Sequence, residues 1–438
     1  MKKISKVAVV IQNNIQYESF KTAMDLMVKN KITVDIFIPQ HNVDDGFNVM
    51  FDTFFQKIKD SNFNIYREIN NKKYDILFLP YSVDPFLNLK RKYTIKYMYS
   101  VTTKPEFSLS LETNYIFDGF LCYGDFDAAC LSNFGITFKI GNLKYVDFKR
   151  KRKRKTDKLT ILYLPTYAEY SSIEIIGPEL KKLEKYYNII IKPHHGTEYL
   201  KNEIEQNRMK FLRNNFQNIY SSTDSLLDLL NECDVVITDQ SGAVFDAICT
   251  KKPVLMYYNE NELLKKNIAL PIRYAKQNYF VSFTKLENDL NKYVKQACTS
   301  KQLAKQNKLF NILFCKSEHV KENFLRFLND LENNIIDENY YENHQLLKEK
   351  IFIMFNKIDS FNYKIDSLNC EITKLENKSQ EYSKEIFIKS KNLDKITKQY
   401  NVLEKEYLTF KNNIYNSTSW KITKPLRAIK NFIQKSKY

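Results

Sequence analysis

Residues 234–258, DVVITDQSGAVFDAICTKKPVLMYY, decide the fold. Val235, Val236 and Ile237 form a short β-branched run that stops at Thr238-Asp239, as a buried strand does. Phe245, Ile248 and Cys249 then follow at helical spacing from a start near Ser241-Gly242. Lys252-Pro253 opens a second apolar run. Strand, turn, helix and strand in this order make one unit of a parallel α/β sheet. The turn invites an anion, because the first backbone N–H groups of a helix have no partner inside it. Ser241 adds a hydroxyl, and Gly242 has no side chain to keep a phosphate off the backbone. Small polar residues also open many helices that bind nothing, and Asp239 reads equally as an N-cap. Both readings stand on spacing alone.

The same rhythm extends on both sides. LTILYLPT at 159–166, YNIIIKPHH at 187–195, KPVLMYY at 252–258 and NYFVSF at 278–283 read as strands. KVAVVIQ at 6–12, TVDIFIP at 33–39, YDILFLPY at 74–81, TIKYMYS at 94–100 and FDGFLCYG at 117–124 repeat the pattern in the first third. Helical stretches such as ESFKTAMDLMVKN at 18–30 lie between them. KRKRKRK at 149–155 repels itself and cannot be buried, so it marks a linker. The expected organisation is a Rossmann-like domain at 1–148, a basic linker at 149–158 and a second Rossmann-like domain at 159–335, with a cleft between the lobes. Open α/β sheets place ligands past the C-terminal ends of their strands. Lys192, His194 and His195 of IKPHHG, and Thr166 of LPTY, stand at such ends. Lys192 suits a phosphate and a histidine suits acid–base work. A solvated turn at 192–196 and a helix cap at Thr166 are the structural alternatives.

Residues 340–414 change character. Apolar or aromatic residues recur in steps of four and three from Leu347 to Ile414, interrupted by Ser379 and Lys389. A 3.5-residue period without proline or glycine predicts a coiled coil, and hence a homo-oligomer. The last 28 residues hold seven Lys or Arg and no acid, with Trp420, Leu426 and Phe432 among them. A basic amphipathic tail over 415–438 suits an anionic membrane surface or a protein neighbour.

Composition narrows the classes. The 438 residues are 43% hydrophobic and 27% charged, which supports packed cores and excludes a mainly disordered chain. No apolar run is long enough for a membrane span, and the six-residue run near the start suits a strand better than a secretory signal. Seven scattered cysteines with no CxxC argue against a disulfide framework or a zinc site and for a reducing compartment. A net charge of +17 favours anionic partners, although Lys abundance throughout weakens the inference. GxGxxG, Walker, HExxH and GxSxG patterns are absent. No aromatics interleave with the basic run, so nucleic acid is not the expected partner.

Taken together, ILYLPT at 161–166, IIIKPHHG at 189–196 and SLLDLLNECDVVITDQSGAVFDAICTKKPVLMYY at 225–258 resemble the CDP-glycerol glycerophosphotransferase family of teichoic-acid and capsule polymer transferases. The resemblance covers about 150 to 320, and CYGDFDAACLSNFGITFKIGNLKYVD at 122–147 is similar to the end of the family's first domain. It implies a GT-B-like pair of Rossmann-type domains, here followed by the long C-terminal helix. It implies a CDP-activated donor held by Thr166, Lys192, His195, Ser241, Gly242 and Asp246, with His194 and Asp239 as catalytic candidates. It implies no metal in the chemical step and no cofactor beyond the donor. The acceptor is then a glycan or lipid-linked polymer, met by a peripheral enzyme on the inner face of the plasma membrane. One departure stands out. The family's Trp-His-Gly element has no counterpart in KYMYSVTTKPEFSLSLE at 96–112, and the first lobe's histidine is His41. Asp84 and Glu106 are the candidate bases in its place. A nucleotide-sugar glycosyltransferase and a non-catalytic scaffold are the rival readings.

Overall fold

The β-branched runs form two sheets in which every strand pairing is parallel. The computed structural model describes residues 3–40, 46–81, 83, 86–101, 110–148, 158–259, 270–286, 289–315, 317–333, 338–423 and 431. The basic run at 149–155, His41, Asp84, Glu106 and the tail residues Leu426 and Phe432 lie outside the described residues, as does the side chain of Trp420.

The first sheet contains β1 (Lys6–Val10), β2 (Thr33–Phe37), β3 (Asn64–Tyr66), β4 (Lys73–Leu79), β5 (Lys90–Tyr97), β6 (Gly119–Cys122) and β7 (Ile136–Lys139). Its order is β3-β2-β1-β4-β5-β6-β7, so the chain reverses direction across the sheet between β1 and β4. Val7 and Val9 enter the core on one face, and Ala8 and Val10 the core on the other. Both faces are therefore covered, which is why β1 is apolar beyond its first residue. β3 is too short to show a pattern, and β7 is a half-exposed edge strand. Neither carries an apolar run.

The second sheet contains β8 (Thr160–Leu164), β9 (Asn188–Ile191), β10 (Val235–Thr238), β11 (Val254–Tyr257) and β12 (Val281–Phe283) in the order β12-β11-β10-β8-β9. A parallel bridge from Ile191 to Ile219 extends it by one residue beyond β9. The reversal here falls between β8 and β10. Leu162 and Leu164 face one core, Ile161 and Tyr163 the other.

The lobes meet closely. Gly46, at φ +102°, opens the helix Phe47–Ile58, and a Cβ there would lie 1.8 Å from the Tyr199 carbonyl oxygen of the second lobe. Glycine answers both demands at once. Asn14 Nδ2 donates to the Asp224 carbonyl at 3.4 Å, and Lys57 Nζ donates to that of Thr223.

After the second lobe the chain returns to the first. The sequence groups residues up to 335 with the second domain, but the helix Val320–Glu332 packs on the first sheet. Phe324 meets Phe20, and Phe327 meets Phe78 and Phe138. The reason is the apolar face of this helix, which the first sheet buries beside the helix Asn14–Lys29. By its contacts, residues Met1–Ile351 form one compact unit and Phe352–Tyr438 another. A single helix, Glu338–Asn416, runs from one into the other. Its opening turns are tied to the turn before β6, where Gln345 Nε2 and Lys348 Nζ donate to Asp118 Oδ1 at 2.9 and 2.6 Å. From Phe352 on it carries no buried residue among those described.

Phe324 is fully enclosed. Phe324→Ala is expected to cost about 3–5 kcal/mol and to move the first lobe's urea transition to lower concentration, followed by tyrosine fluorescence. An unmoved transition would show that the returning helix is not part of that core.

Candidate functional site

A cavity of ≈ 650 Å³ lies between the lobes of the first unit. The segments that wall it follow the C-terminal ends of strands: Gln12 and Asn13 after β1, Pro80 and Tyr81 after β4, Met98 to Val101 after β5. Facing them are Pro165 to Tyr167 after β8, Lys192 to His195 after β9, and Gln240 to Ala243 after β10. Both sheets thus present their switch points to one space, where open α/β sheets hold ligands.

The site residues read from the sequence sort as follows. Thr166, Lys192, His194, His195, Ser241, Gly242 and Asp246 all line this cavity. Asp239 does not; it lies behind the wall with no exposed surface. Its Oδ1 and Oδ2 accept from the Thr166 N–H at 3.0 and 2.9 Å, and Oδ2 also accepts from the Ser172 N–H and hydroxyl at 3.2 and 3.0 Å. The carboxylate therefore ties the end of β10 to the loop after β8. Burial outweighs these bonds and raises its pKa to about 7.

Ser241 Oγ lies 3.0 Å from Thr238 Oγ1 and accepts from the Ala243 N–H at 3.3 Å, so the hydroxyl stands at the start of the helix Ala243–Cys249. Asp246 Oδ1 accepts from Lys144 Nζ at 3.1 Å and from the Tyr145 hydroxyl. Lys144 is enclosed, so the pair joins the last turn of the first lobe to the second.

Lys192 Nζ donates to the carbonyl oxygens of Ser221 and Ser222 at 3.1 and 2.6 Å. Burial lowers its pKa to about 8. Lys96, on the opposite wall, donates to Asn114 Oδ1 at 2.7 Å and is likewise lowered to about 8 by burial. The cavity is thus flanked by an ammonium group from each lobe.

His194 caps the helix His195–Tyr199, its Nδ1 accepting from the Gly196 N–H at 3.0 Å. In the neutral ring the proton then sits on Nε2, which leaves that nitrogen a hydrogen-bond donor. Burial, with the charges of His195 and Lys192 adding, holds its pKa well below the usual value. Burial, with the charge of Lys192 adding, lowers that of His195 to about 4. The ring of Tyr167 stacks on His194 at 4.5 Å and 13°. A Cβ at Gly196 would meet that ring at 2.6 Å, which explains the glycine of the HHG stretch.

Tyr167, Lys96 and Lys144 were not singled out from the sequence. A lysine inside the apolar strand TIKYMYS was the available signal for Lys96. Tyr167 directly follows Thr166, but only the fold stacks it on His194. Glu18, on the helix Asn14–Lys29, was also missed; its Oε2 is buried without a hydrogen-bond partner, within the electrostatic reach of Lys192 and Tyr145.

Two all-parallel lobes around such a cavity define a GT-B-like fold. The family described as CDP-Glycerol:Poly(glycerophosphate) glycerophosphotransferase matches residues 139–323. Over that stretch, which holds the whole second sheet, the resemblance seen in the sequence stands, and the chain is a transferase. A putative UDP-N-acetylglucosamine 2-epimerase from Listeria monocytogenes is similar in fold, with a TM-score of 0.51 and 13% identity, over 77% of this chain and 98% of that one. An S. aureus protein solved as an MnaA–UDP complex aligns with a TM-score of 0.50 and 12% identity, over 75% of this chain and 97% of that one. The wall teichoic acid polymerase TagF in its H548A form covers 76% of this chain and 90% of its own length, at a TM-score of 0.49 and 14% identity. No curated protein sequence matches the chain.

A diphosphate placed against Lys192 would favour the ammonium and raise its pKa. Binding of a nucleoside diphosphate near pH 8 is then expected to be accompanied by proton uptake. Calorimetry in buffers of different ionisation enthalpy measures this, and Lys192→Met should abolish it. A buffer-independent heat would place the anion elsewhere.

Proposed function

We propose that the chain transfers glycerol phosphate, or a similar phospho-polyol unit, from a CDP-activated donor to a hydroxyl of a capsule or other lipid-linked glycan. The family match over the second lobe, together with a cavity at that lobe's switch point lined by Thr166, Lys192 and Ser241, carries the reading. The donor diphosphate lies against Lys192, Ser241 Oγ, the Gly242 amide and Thr166. His194 donates from Nε2 to the phosphoryl oxygens, and His195 lines the same wall. Asp246 holds the first lobe's Lys144 and Tyr145 in place. Asp239 positions Thr166 from behind the wall, which replaces the catalytic part expected of it.

In the reaction an acceptor oxygen forms a bond to the glycerol-bearing phosphorus, in line with the bond that breaks, and CMP leaves with the bridging oxygen. Hydrogen-bond donors fixed before the reaction stabilise the charge that builds on the leaving phosphate. Positioning the two substrates in one closed space supplies much of the remaining rate. No metal enters this scheme. The hydroxyl proton passes to a first-lobe carboxylate; Glu18, whose Oε2 is buried without a hydrogen-bond partner, lies within electrostatic reach of Lys192 on the cavity wall.

The long helix joins copies of the chain, and the basic tail keeps the enzyme at the inner membrane surface, close to a lipid-linked acceptor. No helix among the described residues is long and apolar enough to cross a membrane.

Titration calorimetry with CDP-glycerol against UDP- and CMP-sugars tests the donor. CDP-glycerol is expected to bind, and Ser241→Ala and His194→Ala each to slow transfer at least about tenfold. Binding of a nucleotide sugar alone would overturn the donor assignment. Removal of residues 411–438 is expected to release the enzyme from anionic vesicles while sparing transfer to a soluble acceptor. Undiminished vesicle binding would retire the tail as an anchor.

A further inference from the structure

The helix Glu338–Asn416 carries an apolar stripe whose composition says what covers it. Numbered as heptads, the stripe places Ile351, Ile358, Ile365, Ile372 and Ile386 at position a, with Ser379 the exception in that interval. Position d holds Leu347, Met354, Phe361, Leu368, Leu375 and Tyr382, and no β-branched residue from 347 to 382; the sorting belongs to this first half, since Leu393 follows at a and Ile396 at d. Among the described residues, fifteen apolar or aromatic a and d side chains from Met354 to Phe410 are each 42–67% exposed.

We propose that this helix pairs with the same helix of a second copy as a parallel, in-register, two-stranded coiled coil. The inference deepens the self-association proposed above and is independent of the donor assignment.

Isoleucine at a with leucine at d is the pattern that favours two strands in parallel assemblies, since the two layers offer side chains different approach angles. Orientation follows from the same segregation. In a parallel pair a meets a and d meets d, so sorting β-branched residues into one layer changes the packing. In an antiparallel pair every layer mixes a with d, and the sorting would accomplish nothing. A repeat of 3.5 residues also demands a partner with the same repeat, because the stripe of a straight helix drifts about 20° per heptad and closes only by supercoiling with an equal.

The polar interruptions fix the register. In register, Ser379 meets Ser379 and Lys389 meets Lys389. A slip of one heptad sets Lys389 against Tyr382 or Ile396. Lys389 carries its own Glu385 at 2.8 Å, so each copy brings a neutralised pair to that layer.

Area supports a stable dimer. Burial of an aliphatic side chain removes roughly 60 Å² or more from water. Fifteen from each copy then exceed the roughly 1,200 Å² at which specific interfaces begin. Parallel strands also leave both copies of the basic segment 411–438 at one end, so a membrane would meet two tails together.

Light scattering on the size-fractionated full-length chain should give twice the chain mass. The double variant Ile365→Lys, Ile372→Lys should raise the concentration for half-dissociation at least about 100-fold. In a Cys370→Ser background, Leu393→Cys should form an interchain disulfide under mild oxidation, because position 393 faces itself only in the parallel register and faces 368 in the antiparallel one. A single-chain mass overturns self-association altogether, and a mass of three or four chains overturns the strand number. A two-chain mass without a crosslink in the Leu393→Cys variant overturns the orientation. CDP-glycerol titration of the same samples reads the donor assignment separately.

Discussion

A single buried carboxylate holds the second lobe's binding edge in shape. Asp239 ends β10, and its two oxygens take the Thr166 amide and the amide and hydroxyl of Ser172. Those bonds bend the chain after β8 toward the end of β10, at the point where strand order reverses. Without them the backbone donors would be buried and unpaired, which is costly. Thr166 and Tyr167 reach the cavity wall because this turn is fixed, and Tyr167 in turn sets the face of His194. The geometry of this cavity wall thus descends from one side chain that never touches the cavity.

The electrostatics of the cavity follow from burial more than from pairing. Lys192 is held by two carbonyl oxygens, whose partial charges stabilise an ammonium less than a carboxylate does. Burial and the neighbouring Lys192 charge lower the pKa of both histidines. Asp246 already serves Lys144 and Tyr145. The described wall therefore offers hydrogen-bond donors and partly suppressed positive charge, a setting in which an arriving polyanion restores the protonation that the protein interior opposes.

The strands that alternate with helices were legible because burial on both faces makes a parallel strand apolar along most of its length, as in Val235–Thr238 and Lys6–Val10. β3 and β7 were not, since a three-residue strand and a half-exposed edge leave no apolar run. The cavity residues after β8, β9 and β10 were legible by their place at strand ends. What each does was not. Asp239 looked like a group for chemistry, and only the fold shows its oxygens turned to Thr166 and Ser172. Lys144 lies 102 residues from Asp246, so no local pattern announces that pair. The return of Val320–Glu332 to the first lobe was hidden for the same reason: an amphipathic helix records that it has an apolar face, not which sheet receives it.

That return has a consequence for taking the molecule apart. The chain passes between the lobes twice, once after Phe148 and again after Leu313, so the second lobe is one contiguous piece of sequence and the first is not. A fragment ending before Val320 would strip the first sheet of the wall made by Phe324 and Phe327 and leave Phe20, Phe78 and Phe138 facing water.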